Sequence, residues 1–378
     1  MSEVPDEILA ALPDAARQRL AAAQPAPLGA RELRADALSQ IAGTPFFARM
    51  LATRFQRETV LEAFAAMPLP APVAAQVAAQ RALYPDAYEH AVQSGLVAGA
   101  LWLAVEPSAT RYDVGMLVAA GVLHDLAMLA ADPALHDPAQ PPLGDAARAQ
   151  LLAHPQASAR LLEPHHVYPR ELVRAITEHH ERLDGSGYPR GLGGDAISAW
   201  GRVLSITEVV SAMFGGGREH PELRLSTLLR MNPGRYDPTL VETVGRWLAP
   251  ALDAEASAFA AASDPFKRLR ALHTALDDAP RPDGLGPRGA AMFDDFHARL
   301  GGLQRSLADA GADAAQLGWL AAAAPDARLR AELVLIGREA SWQLRMLAQQ
   351  LQRRFGAAPL PPTLRGWFDR VEALVADA

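Results

Sequence analysis

The stretch His179-His180-Glu181-Arg182-Leu183-Asp184-Gly185-Ser186-Gly187-Tyr188-Pro189 sets a histidine pair directly before a glycine-punctuated loop. Upstream, Leu172-Val173-Arg174-Ala175-Ile176-Thr177-Glu178 spaces its apolar residues as a helix does, so the histidines are expected to end a helix. Gly185, Gly187 and Gly191 then permit positive backbone torsions, and the loop can fold back over whatever the imidazoles hold. Ser186 reads as a turn residue, because its spacing does not fit a Gly-x-Ser-x-Gly nucleophile elbow.

Outward from this loop, the potential ligands follow helical spacing. Asp86 and His90 stand four apart, on one face of a helix. His124-Asp125 interrupts the most apolar run, residues 114–131, where a charged pair is costly in a bilayer and ordinary in a metal site. His154, the pair His179-His180 and Glu208 complete the series. His136, His165, His166, His220, His273 and His297 have no ligand-spaced partner and read as structural or exposed.

In their order these residues resemble the HD-GYP branch of the HD metal-dependent phosphohydrolases, many of which hydrolyse cyclic di-GMP. The loop carries Glu181, Asp184, Gly185, Gly187, Tyr188, Pro189, Gly191 and Leu192 in register with that family, and Arg235-Tyr236-Asp237-Pro238 matches a later aromatic-Asp-Pro segment. The resemblance covers about residues 84–248. It implies one metal position on His90, His124, Asp125 and Glu208 and a second on Asp125, His154 and His179. Asp86 and His180 could hold a third ion. His124 and Asp125 are then the catalytic pair, Asp125 bridging two divalent transition metal ions, with Fe or Mn foremost for this imidazole and carboxylate mixture. Gly187, Tyr188 and Arg218 are the implied substrate contacts. Such a pair of ions activates water for phosphodiester hydrolysis.

Four departures bear on substrate. Met128 replaces a lysine that meets a substrate phosphate in the family, Glu208 replaces an aspartate, and Ser211-Ala212 replaces Asp-Ala. Gly215-Gly216-Gly217-Arg218 replaces basic residues that clamp the dinucleotide, which leaves Arg218 alone. Each lost charge-assisted hydrogen bond costs about 1.5–3 kcal/mol. Two functions follow: a metal-dependent phosphodiesterase acting on cyclic di-GMP or a related nucleotide, or a catalytically reduced signalling scaffold that binds a protein partner through the GYP loop. Tyr188 at the loop tip either contacts such a partner or packs inward and shapes the pocket.

Composition sets outer limits. The chain has 378 residues, half of them apolar, and no cysteine, which excludes disulfides, thiolate metal sites and cysteine nucleophiles. Its net charge of −7 argues against a nucleic-acid polymer or an anionic membrane as partner. The N-terminus lacks a signal-peptide pattern, so a cytoplasmic protein is expected.

The fold class expected is all-α, an HD-domain helical bundle with further helical regions on both sides. Pro68-Leu69-Pro70-Ala71-Pro72 reads as a stiff linker. It bounds a helical N-terminal region at 1–72, a phosphohydrolase-like domain at 73–250 and a helical C-terminal domain at 251–378. Helices are expected over 73–83, 86–105, 113–131, 145–162, 169–181, 196–213, 221–231 and 237–248. Leu329, Leu333, Ile336, Ala340, Leu344, Leu347 and Leu351 form one apolar stripe, suited to a bundle helix or, alternatively, to a homodimer seam.

Overall fold

The computed structural model describes residues 12, 14–23, 28–131, 135, 145–215, 217–258, 265–281, 286–323, 325–355 and 360–376. His136 and Gly216 lie outside them. The described chain is all-helical and contains no strand, only an isolated bridge between Asp184 and Gly193. The helices are α1 (Asp14–Ala23), α2 (Ala30–Gly43), α3 (Pro45–Met50), α4 (Arg54–Ala65), α5 (Ala71–Leu83), α6 (Pro85–Val105), α7 (Arg111–Leu123), α8 (Asp145–Leu162) and α9 (Arg170–Glu178). They continue with α10 (Ala199–Phe214), α11 (Pro221–Arg230), α12 (Pro238–Ala258), α13 (Pro265–Asp277), α14 (Pro287–Asp309), α15 (Ala314–Ala322), α16 (Ala327–Phe355) and α17 (Pro362–Ala376).

Contacts divide the chain into two units, one of residues 1–219 with 234–247 and the other of 220–233 with 248–378. The boundary expected near residue 72 falls inside the first unit. Tyr88 donates its hydroxyl to Asp36 at 2.6 Å and Gln93 donates to Gln40 at 2.9 Å, which ties α2 to α6. Ala71 and Pro72 already belong to α5, where proline at the start of a helix forfeits no hydrogen bond. The boundary expected at 250 falls within α12, which runs through Pro250.

The first unit is organised around α6 and α7. A Cβ on Gly121 would lie 2.6 Å from the Ser94 carbonyl oxygen and 2.7 Å from the Gly95 nitrogen, so only glycine lets these helices touch backbone to backbone. That contact fixes His90 of α6 against His124, the residue that caps α7. The start of α7 is held by a capping box, Thr110 accepting from the Asp113 amide and Asp113 from the Thr110 amide. The apolar run expected as one helix over 113–131 is broken: α7 ends at Leu123 and Leu126–Ala130 tightens into a 3-10 helix. Asp125 sits at the break. The window 111–130 is the one stretch among the described residues apolar enough to cross a membrane, and 67% of it is buried inside the unit.

α10 packs on both α6 and α9. Ser211 of α10 meets Ser94 of α6 hydroxyl to hydroxyl at 2.8 Å, both side chains buried, so this serine joins two helices without introducing a charge.

In the second unit, the stripe of α16 is core. Leu333, Ile336, Ala340, Leu344, Leu347 and Leu351 are buried with Leu269, Leu272, Phe296 and Trp367, and Leu329 packs partly buried against them. The Trp367 indole donates to the Ala275 carbonyl at 2.9 Å, which satisfies the one polar atom of that side chain. The stripe is thus spent inside the bundle.

Candidate metal centre

Each imidazole of the cluster is aimed by its own helix. His124, His154 and His179 donate from Nδ1 to the carbonyls of Gly121, Leu151 and Ile176, three residues earlier, at 2.7, 2.5 and 2.7 Å. A carbonyl can only accept, so the proton is on Nδ1 and Nε2 faces the centre. His179 follows the last residue of α9, and His180 comes next as the chain leaves the helix.

The Nε2 atoms converge. His90 lies 2.9 Å from Glu208 Oε2 and 3.3 Å from His124 Nε2, and His124 lies 3.2 Å from Glu208 Oε2 and 3.4 Å from Asp125 Oδ2. On the other side, His154 Nε2 is 3.0 Å and His179 Nε2 3.6 Å from Asp125 Oδ1, with the two nitrogens 3.1 Å apart. Two groups of potential ligands result, His90, His124, Asp125, Glu208 and His154, His179, His180, the atoms of each within 4.8 Å of one another.

The donor set fits divalent cations. With their Nδ1 protons committed, His154 and His179 face each other through Nε2, 3.1 Å apart, an arrangement that a proton on His154 relieves in the metal-free site and a cation would relieve in its place. Asp125 Oδ1 is buried between these nitrogens, 3.0 Å from His154 Nε2 and 3.6 Å from His179 Nε2, and such an oxygen costs about 1–3 kcal/mol unless something positive meets it. Nitrogen and oxygen donors of this mixture suit first-row transition metals.

The charges agree. Burial would raise the pKa of Asp125 and Glu208, yet the imidazoles around them hold both well below the usual carboxylate range. Burial would lower His124 and His154, but Asp125, joined at His124 by Glu208, raises both. His179 is pushed well down by burial and the neighbouring imidazoles, and His180 falls to about 3, chiefly through burial. A cation must therefore displace protons from His124 and His154, whereas His179 and His180 are already neutral. Metal affinity should rise with pH across and above the ordinary histidine range, by about tenfold per pH unit for each proton displaced. Isothermal titration with Mn²⁺ at several pH values measures it, and a flat profile would contradict this protonation pattern.

The loop closes over the second ligand group. Tyr188 stacks on His180, ring centroids 4.5 Å apart at 23°, and its amide donates to the His180 carbonyl at 3.1 Å. Of the two roles open to Tyr188, it packs inward. Gly185 and Gly191 have positive φ, as expected, but Gly187 does not. Gly187 is required for space instead: a Cβ there would lie 2.4 Å from the His180 carbonyl oxygen and 2.5 Å from the Arg182 nitrogen. Ser186 is a turn residue, donating its amide and hydroxyl to Asp184.

The sequence marks Glu181 as part of the loop pattern, but not its anchoring role or those of Glu178 and Arg182. Glu181 is fully buried and accepts the amides of Arg190 and Leu192, each at 2.8 Å. Glu178, also fully buried, accepts from Arg174, Arg190 and both the amide and hydroxyl of Ser198, the residue that caps α10. Arg182 donates to the carbonyls of His179 and Glu181 and to Ser205, with its guanidinium over the Tyr236 ring. Several of their partners lie in other segments, and Glu178 with Arg174 four residues away reads in sequence as a surface pair.

Asp86 is exposed on α6 and lies outside both ligand groups, and His180 joins His154 and His179 rather than Asp86. Asp86 instead lines a cavity of about 430 Å³ together with Tyr84, Asp125 and Met128. Arg218 is exposed on the segment beyond α10.

An all-helical domain with a buried histidine and carboxylate cluster between its helices defines the class. Residues 99–240 match the HD domain family, so this stretch is an HD domain. The chain is also similar to curated cyclic-dinucleotide phosphodiesterases. It is 43% identical over 44 residues to a 3'3'-cGAMP-specific phosphodiesterase 3 of Vibrio cholerae, which is 12% of this chain and 10% of the relative. Identity is 36% over 73 residues to the 3'3'-cGAMP-specific phosphodiesterase 1 of the same organism, 18% of this chain and 17% of the relative. To a cyclic di-GMP phosphodiesterase of Pseudomonas aeruginosa it is 37% over 95 residues, 25% of this chain and 22% of the relative. The chain thus spans less than a quarter of the length of each of these relatives.

Proposed function

We propose that the first unit is a metal-dependent phosphodiesterase that hydrolyses a cyclic dinucleotide or a related phosphodiester. The observation that carries this reading is the convergence of His154 and His179 Nε2, 3.1 Å apart, on the buried Asp125 Oδ1. His90, His124, Asp125 and Glu208 would hold one divalent ion, and His154, His179 and His180 a second, with Asp125 reaching both. Ions bound there supply Lewis acidity, lowering the pKa of water and neutralising charge on the phosphoryl oxygens.

The chain's own groups do the rest. Asp125 links the ligand cluster to the cavity, where a phosphodiester can approach. Tyr188 covers His180 and restricts water on that side. Glu178 and Glu181 hold the loop in place through buried hydrogen bonds, so the histidine pair keeps its orientation. The similarity to relatives named for 3'3'-cGAMP and cyclic di-GMP supports the substrate class. Metal analysis of protein purified without added metal, together with hydrolysis of cyclic di-GMP, 3'3'-cGAMP and a generic phosphodiester, tests the reading. Metal-free, inactive protein that Mn²⁺ or Fe²⁺ does not activate would sink it.

One observation favours a second reading, a catalytically reduced scaffold. Met128 lines the cavity beside Asp125, in the position of a phosphate-binding lysine. Met128→Lys should therefore strengthen cyclic di-GMP binding or turnover by about tenfold or more, the worth of one charge-assisted phosphate bond. Calorimetry and steady-state kinetics measure it, and unchanged values mean that Met128 is not what limits the substrate.

A further inference from the structure

Among the described residues that line the cavity of about 430 Å³ beside the metal centre, none is cationic. Two are acidic: Asp125, which belongs to the ligand cluster, and Asp86, which does not. Asp86 stands in the first turn of α6, one helical turn, about 6 Å along the axis, before His90. It is exposed, and among the described residues its carboxylate has no hydrogen-bond or ion-pair partner.

The rest of the lining is apolar and aromatic, and α1 holds it in place. Arg19 of α1 donates to the Leu83 carbonyl and stands over the Tyr84 ring, its guanidinium carbon 5.9 Å from the centroid. Ala16 and Leu20 of α1 are buried with Leu83 and Leu129, and Tyr84 packs partly buried against them. The N-terminal helix thus fixes two sides of the cavity, the Leu83-Tyr84 end of α5 and the 3-10 turn that carries Met128. Tyr84, Ala87, Met128 and Leu135 together offer a flat ring an apolar bed next to one open carboxylate.

We propose that Tyr84 and Asp86 form a guanine subsite, Tyr84 packing against the base and the Asp86 carboxylate accepting its ring N–H and its exocyclic amino N–H. This inference rests on the phosphodiesterase reading of the metal centre. A carboxylate repels a phosphate, so in a cavity that admits a phosphodiester Asp86 suits the part of the substrate that donates hydrogen bonds. An ionised carboxylate only accepts, through two oxygens, and guanine sets two donors side by side on its Watson–Crick edge. Adenine sets a ring acceptor beside its amino donor there and would bring a lone pair against a carboxylate oxygen. A site built on such a pairing rejects the analogue that cannot complete it. Every base can stack on an aromatic ring, so Tyr84 supplies affinity and Asp86 supplies the choice of base.

Steady-state kinetics and metal analysis of the full chain loaded with Mn²⁺ test the proposal, with cyclic di-GMP, cyclic di-AMP and bis(p-nitrophenyl) phosphate as probes. The wild type should favour cyclic di-GMP over cyclic di-AMP by at least about tenfold in kcat/KM, the effect of one lost bond to a charged group. Asp86→Asn should raise the KM for cyclic di-GMP by about tenfold or more and shrink that preference, with kcat and metal content near those of the wild type. Asp86→Glu, which keeps the carboxylate, should retain the preference. Tyr84→Ala should raise the KM for both dinucleotides alike. A wild type that hydrolyses bis(p-nitrophenyl) phosphate without preferring guanine, or an unchanged KM in Asp86→Asn, would overturn the subsite and leave the phosphodiesterase reading standing. Metal lost in Asp86→Asn would make Asp86 an ion ligand and overturn the subsite as well. A wild type that hydrolyses none of the three probes would overturn both.

Discussion

Asp125→Ala should empty the metal centre more completely than any single histidine substitution. Asp125 approaches His124 through Oδ2 and both His154 and His179 through Oδ1, so it is the one carboxylate placed to serve both ligand groups. Its removal leaves five buried or half-buried imidazoles with only Glu208 as counter-charge, and Glu208 touches the His90 and His124 side alone. Groups that merely orient metal ligands cost about 10–100-fold in affinity when lost, so a shared direct ligand should cost more than about a hundredfold. Elemental analysis should show less than half the wild-type metal, with phosphodiesterase activity near background. His180→Ala is the comparison: it should spare the His90, His124, Asp125, Glu208 group and lose metal from the other. Wild-type stoichiometry in Asp125→Ala would show that the cluster is not a metal centre.

That cluster was readable in the sequence because its members carry local signs. His124-Asp125 stands out in an apolar run, His179-His180 stands before glycines, and helical spacing sets His90 apart. The all-helical fold followed from the same periodicity. What the sequence concealed depends on contacts between distant segments. The glycine contact of Gly121 with Ser94 and Gly95 needs both helices in place before it means anything. Ser211 looked like a lost aspartate until its partner Ser94 was known. Residues 220–233 group with the second unit although 234–247 return to the first, a discontinuity that no composition change marks. Proline is disfavoured inside a helix, yet α12 runs through Pro250 to Ala258, which the sequence does not show.

Gly187→Ala should damage the centre from outside its ligand shell. The added methyl would lie 2.4 Å from the His180 carbonyl oxygen and 2.5 Å from both the Arg182 nitrogen and the Glu181 Cα, all backbone atoms that no rotamer change can move. Nor can that backbone yield freely. Glu181 is held by two amides through its carboxylate, and Arg182 by two carbonyls and Ser205 through its guanidinium. The strain must then move Tyr188 off His180 or shift His180 itself. Overpacking of this kind costs about 1–3 kcal/mol, which for a unit of this size lowers Tm by about 2–12 °C. Metal held by His154, His179 and His180 should fall in the same variant. Gly245→Ala is the control: Gly245 lies within α12, and an added Cβ there meets nothing within 4 Å. Relief of helical glycine should leave that variant stable or raise its stability by about 0.5–1 kcal/mol. Scanning calorimetry and metal analysis on both variants decide the matter: if Gly187→Ala melts and binds metal as Gly245→Ala does, the loop is not what positions His180.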